Sequence, residues 1–173
     1  MSSTDETHAA RRFNLIDEPW IPVVGTHNGQ GGRVSLKQLF SSSGTEASYR
    51  ALGGNPVQKI ALKKLLLAIV QASITPVDDA EWAELGPDGL AQKCLDYLQT
   101  WHDRFYLYGD MPFLQMPAIK SAAIQSFGAV SAEVSTGNTT VLTQSQAEKP
   151  LADADKALLI VQLMGFALGG KKT

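Results

Sequence analysis

The chain has 173 residues, a net charge of −2, 44% apolar and 18% charged side chains, the balance of an ordinary soluble globular domain or part of one. No global basic field announces a nucleic-acid partner, so any such contact must come from local patches. A single cysteine, Cys94, excludes an internal disulfide and leaves a zinc site without its usual partners, and no apolar run resembles a signal peptide or membrane span, so the expected compartment is the cytoplasm with no membrane partner.

Met1 to Arg12 is polar and reads as a disordered tail, with Arg11 and Arg12 as a local basic spot. Phe13-Asn-Leu-Ile and Trp20-Ile-Pro-Val-Val predict two short strands around the turn Asp17-Glu18-Pro19. Gly25 to Gly32 is a glycine-rich link, and no GKS or GKT follows it to make a nucleotide loop. Val34 closes a third strand, and Ser35 with Gln38 has capping-box spacing for a short helix that Ser41-Ser-Ser-Gly44 breaks.

Pro56 opens a long helix to about Thr75, with Val57, Ile60, Ala61, Leu65, Ala68 and Ile69 on one apolar face and further leucines widening it. Lys59, Lys63 and Lys64 group on this helix, either as a solvated face or as a phosphate-facing stripe. Pro76 stops the helix. Asp78 and Glu81 repeat the capping spacing ahead of a short turn through Trp82 to Leu85, and Pro87 opens a second long helix. Leu90, Cys94, Tyr97, Leu98, Trp101 and Phe105 keep helical spacing there, the pattern of a core face more than of a base-stacking platform.

Tyr106 to Pro117 turns sharply and Ala118 to Val134 is weakly patterned. Ser135 to Pro150 is a polar loop of the length that compact domains keep for function or disorder, with apolar Val141 and Leu142 at its middle wanting a partner to cover them. Asp153 suits a helix cap and Asp155 a first turn, since both answer the positive end of the dipole. Ala157 to Leu168 is apolar apart from Gln162, which predicts burial on every side. Gly169 then stands where helices stop, followed by Gly170, Lys171, Lys172 and Thr173. Those residues alone allow a plain helix stop with solvated lysines, or backbone that can approach a partner closely with positive charge beside it. The three histidines, His8, His27 and His102, lack ligand spacing, no nucleophile–base pattern is visible, and neither an enzyme nor a metal or other cofactor is expected.

Phe13 to Val24 resembles the N-terminal signature of the large subunit of the type I-E CRISPR Cascade surveillance complex, the CasA family. Phe105-Tyr-Leu107 followed by Met111-Pro-Phe-Leu-Gln115 resembles that family's next segment, and the polar loop and Ala167-Leu-Gly-Gly-Lys171 fall in its usual order. The resemblance runs from about Phe13 to Thr173. It implies an α+β fold, mostly helical with a small N-terminal antiparallel sheet, in which residues 13–173 form the front part of a larger domain and a C-terminal four-helix bundle is absent.

The function implied is that of a non-catalytic subunit that recognises the protospacer-adjacent motif in double-stranded DNA, supports R-loop formation and recruits a helicase-nuclease in antiviral defence. Its implied partners are double-stranded DNA, CRISPR RNA, the other Cascade subunits and that helicase-nuclease. By position Gly169, Gly170 and Lys171 match the family's glycine loop, which meets the motif from the minor groove, and Lys172 adds charge beside them. Asn138 to Gln144 match its long loop. Asn138 and Thr143 would lie by nucleic acid, whereas Val141, Leu142 and Gln144 suit docking on a neighbouring subunit. One branch of the family carries an aromatic and an amide where this chain has Val141 and Thr143, which weighs against base stacking at that loop. The other class of reading is a structural module docked on a ribonucleoprotein without touching DNA.

Overall fold

Asn14 decides how the chain enters the fold. Its side-chain oxygen accepts the Ile16 N–H at 2.9 Å, and its carbonyl accepts from Asp17 and Glu18. That turn, of the kind asparagine favours, ends the first strand after three residues. A computed structural model of the chain describes residues 10–26, 29–42, 49–116, 119 and 150–166. In order its elements are β1 (Arg12–Asn14), β2 (Ile21–Gly25), β3 (Gly31–Val34), α1 (Leu36–Ser41), β4 (Tyr49–Leu52), α2 (Pro56–Ser73), α3 (Asp79–Thr100), a 3-10 turn (His102–Arg104), β5 (Tyr106–Tyr108) and α4 (Asp153–Gly165).

The fold is α+β with small antiparallel sheets, as expected. The first two strands nevertheless fall in different sheets. β1 pairs with β5, Arg12 opposite Tyr108, while β2 is the middle strand of β3-β2-β4. Leu15 and Ile16 leave the ladder because their side chains go inside, and their carbonyls accept the N–H groups of Leu36 and Lys37. Arg12, counted with the tail by its polar neighbours, is the first residue of β1, and residues 1–9 lie outside the described set. β4 carries no apolar alternation of its own, with Arg50 and Ala51 exposed. It is a strand because β2 offers an open edge, Val23 opposite Leu52.

Trp20 is the centre of the core, fully buried among Leu15, Ile21, Leu36, Leu62 and Leu98, with its indole N–H donating to the Leu15 carbonyl at 2.9 Å. Three local signals place the helices around it. Ser35 and Gln38 make both halves of a capping box on α1, and Asn55 with Gln58 does the same on α2, where Pro56 sits in the first turn. Asp78 caps α3 through the Glu81 N–H, although the Glu81 carboxylate reaches back to Val77 and not to Asp78. α3 is two helical segments, because Gly86 has φ 58 and ψ 179, a combination open to glycine, and Pro87 starts the second segment where the sequence places it.

The buried face of α2 differs from the expected one. Ala61, Leu62 and Ile69 are buried with Leu65, Leu66 and Val70 behind them, while Ile60 is 48% and Leu67 56% exposed. A helix apolar nearly all round has no face that periodicity alone can choose, so its neighbours α3 and α4 choose it. The same holds for α4. Ala157, Leu158, Val161 and even Gln162 are buried, whereas Leu163, Met164 and Phe166 are exposed. Burial on every side is therefore corrected to burial on one face. Trp101 likewise ends α3 at 47% exposure and is not core. Among the described residues no helix is long and apolar enough to cross a membrane.

Candidate functional site

α4 is the described element that leads up to residues 167–173, the stretch singled out in the sequence. Its start is tied to the β1-β5 sheet. The cap position is Ala152, whose methyl group cannot accept a hydrogen bond, and Asp153 is one residue further on, inside the helix. The expectation that Asp153 caps α4 is corrected accordingly: its carboxylate is drawn sideways by stronger partners. Arg12 reaches it at 2.6 Å and the Tyr108 hydroxyl donates to it at 2.6 Å. Lys156 donates to the Tyr108 oxygen at 3.1 Å and lies 3.4 Å from Asp153, and the Arg12 guanidinium stacks 3.7 Å from the Tyr108 ring centroid. Asp155 forms a second tie, an ion pair with Arg33 of β3.

The Tyr108 hydroxyl bond, helped by Lys156 and Arg12, holds the Asp153 carboxyl below its usual acidity range against a smaller opposing effect of burial. The same hydroxyl, with Asp153, raises Lys156. A carboxylate made more acidic by folding stabilises fully above its unfolded value, about pH 3.9, and stops doing so as pH falls through the lower folded value. Lys156, raised by folding, stabilises fully below about pH 10.4 and loses that contribution only as pH rises beyond it. Asp153→Asn is thus expected to lower the denaturation midpoint at pH 7 and to matter less and less toward pH 2. An equal loss at both values, measured by urea unfolding, would remove the ion cluster as the cause.

The far end of α4 is held by α2. Gly165 packs so close that a Cβ built on it would stand 3.0 Å from the Cβ of Ala61. Lys64 donates to the Gly165 carbonyl at 2.8 Å, and its ammonium lies 4.9 Å from the Phe166 ring centroid. Of the three lysines on α2, all exposed, this one is engaged by the helix end and the others face solvent. Sequence spacing shows Lys156 three residues after Asp153. It cannot show Arg12 or Tyr108 beside them, since those partners lie 141 and 45 residues away from Asp153.

Gly169, Gly170, Lys171 and Lys172 lie outside the described residues, as do Asn138, Val141, Leu142, Thr143 and Gln144. Other polar groupings read as structural ties. His102 bonds Asp17 at 2.7 Å and abuts the Asn14 amide, fastening the first turn to the 3-10 turn. Cys94 is fully buried, and that burial pushes its thiol up, partly offset by the Ser73 hydroxyl at 3.4 Å. Among the described residues, no three His, Cys, Asp or Glu side chains gather where they could hold a metal ion.

The family profile described as CRISPR-associated protein Cse1 matches residues 14–173. The chain belongs to the Cse1 family. The CasA/Cse1 protein of Thermus thermophilus is 32% identical over 171 residues, covering 92% of this chain and 32% of that relative. The structure of Thermobifida fusca Cse1 superposes with a TM-score of 0.71 at 29% identity, over 93% of this chain and 30% of that one. A chain from a CRISPR RNA-guided surveillance complex shares the fold with a TM-score of 0.68 at 16% identity, over 90% of this chain and 34% of its own. The chain therefore spans about a third of the length of the Cse1 relatives it matches.

Proposed function

We propose that this chain is the front part of a non-catalytic subunit of a type I-E surveillance complex, one that reads the protospacer-adjacent motif in double-stranded DNA. In that role it supports R-loop formation and recruitment of a helicase-nuclease. The observation that carries the reading is that the Cse1 match runs through residue 173 and so takes in Gly169, Gly170, Lys171 and Lys172. The minor groove is narrow and its hydrogen-bonding pattern degenerate, so backbone without side chains can enter it where larger residues clash. A reader of that kind accepts several related motifs, unlike paired arginines in the major groove. The lysines beside the glycines would meet phosphates.

That assignment is tested through salt. Lys171→Ala with Lys172→Ala is expected to flatten the log–log dependence of duplex affinity on salt by roughly one unit for each phosphate no longer neutralised. An unaltered slope, from titrations at several ionic strengths with the assembled complex, takes both lysines out of the interface.

Docking is the second role, and the exposed apolar side chains Ile60 and Leu67 of α2 and Met164 and Phe166 at the end of α4 favour a protein neighbour. The polar loop's Val141, Leu142 and Gln144 fit that role as well, with Asn138 and Thr143 nearer the nucleic acid. A module that only docks would leave duplex affinity untouched by changes at residues 169–172.

A further inference from the structure

We infer that the exposed face of α2 docks an acidic amphipathic helix of a separate protein chain. Ile60 and Leu67 would meet its apolar stripe, and Lys59, Lys63 and Lys64 its carboxylates. The inference rests on the docking role proposed above, not on the reading of DNA, and it names the partner's chemistry. Ile60 and Leu67 are seven residues apart, so they stand on one side of α2 about 10.5 Å from each other. Lys63 and Lys64 lie between them, Lys59 is one turn before Lys63, and all five are exposed. α2 carries no Asp or Glu along its 18 residues. Among the described residues, none of the three ammonium groups is paired with a carboxylate. Lys64 keeps its charge while it donates to the Gly165 carbonyl, and its position by the Phe166 ring adds a third apolar group at the edge of the patch.

Such a face makes two demands of whatever covers it. Exposed apolar side chains in line, rimmed by polar groups, mark a surface for a protein neighbour. The lysines lose hydration when covered, and only counter-charge from the partner offsets that cost. A phosphate backbone would answer the lysines and leave Ile60 and Leu67 in water. A helix with leucines flanked by glutamates answers both. Residues 117–149 hold only Glu133 and Glu148 against Lys120 and Lys149, which is no acidic run, so the carboxylates come from another chain.

The test uses the full chain free in solution and three probes, followed by fluorescence anisotropy. One is a synthetic peptide about three heptads long, with leucine at its a and d positions and glutamate at e and g. The second has lysine in place of glutamate, and the third is a DNA duplex of mixed sequence. The glutamate peptide is expected to bind about tenfold more tightly than the lysine peptide. Ile60→Ser with Leu67→Ser is expected to weaken it about tenfold, and Lys59→Glu with Lys63→Glu to reverse the preference between the peptides. All four positions are exposed, so an unchanged urea midpoint separates lost docking from lost folding. Equal binding of the two peptides, lost in the serine pair, would leave docking in place and remove the acidic partner. If neither peptide binds, docking through α2 falls with it. Duplex binding lost in the glutamate pair but untouched in the serine pair would make the lysines phosphate contacts and overturn the inference. Self-association lost in the glutamate pair would do the same, giving the face to the acidic run Asp78, Asp79, Glu81 and Glu84 of a second copy.

Discussion

Valine at both Gly169 and Gly170 is expected to reduce binding of a motif-bearing duplex to the level of a motif-free one, with assembly of the complex intact. The minor groove of B-form DNA is only about 6 Å wide, and it presents the same acceptors for A·T and T·A pairs. A backbone that enters it reaches the base edges only while nothing projects from the chain, and two branched side chains would hold it away. Specific and non-specific binding typically differ by about 10³-fold or more, so the loss should be of that order and not a modest shift. Affinity measured at one fixed salt concentration on both duplexes, with size-exclusion chromatography for assembly, reports the two effects separately. Undiminished preference for the motif would leave the chain as a docking module.

Trp20→Ala is expected to cost about 3–5 kcal/mol of folding stability, the range for deleting a large buried ring when its surroundings relax only partly. Trp20 is fully buried in one core cluster with Leu15 after β1, Leu36 of α1 and Leu98 of α3. Its indole shares the Leu15 carbonyl with the Leu36 N–H, so Trp20→Phe should lose about 0.5–1.5 kcal/mol for the one hydrogen bond although it keeps most of the apolar area. Urea titrations of the two variants would show the midpoint falling with the slope unchanged. A change below about 1 kcal/mol for Trp20→Ala would mean the core is centred elsewhere.

These expectations differ in how far they could be read from residue order. Caps and breaks were legible: Ser35 with Gln38, Asp78 ahead of α3, Pro56, and the Gly86-Pro87 interruption each act within four residues, and each stands where local chemistry puts it. The partners of the strands were not. Phe13 to Ile16 and Trp20 to Val24 read as neighbours, yet β1 needed Tyr106–Tyr108 from far along the chain, and β4 needed an edge to pair with before it was a strand at all.

Residue order by itself determined the helices, the family and the glycine-lysine run at 169–172, because capping, proline and glycine geometry and a motif's order are properties of short stretches. Only the tertiary structure decided which face of α2 and α4 is buried, that Asp153 serves a cluster with Arg12, Tyr108 and Lys156 instead of a cap, and that Lys64 closes the end of α4. Helices apolar almost all round carry no preferred side, and a carboxylate goes to the strongest donors within reach. Both choices belong to neighbours that come from distant parts of the chain.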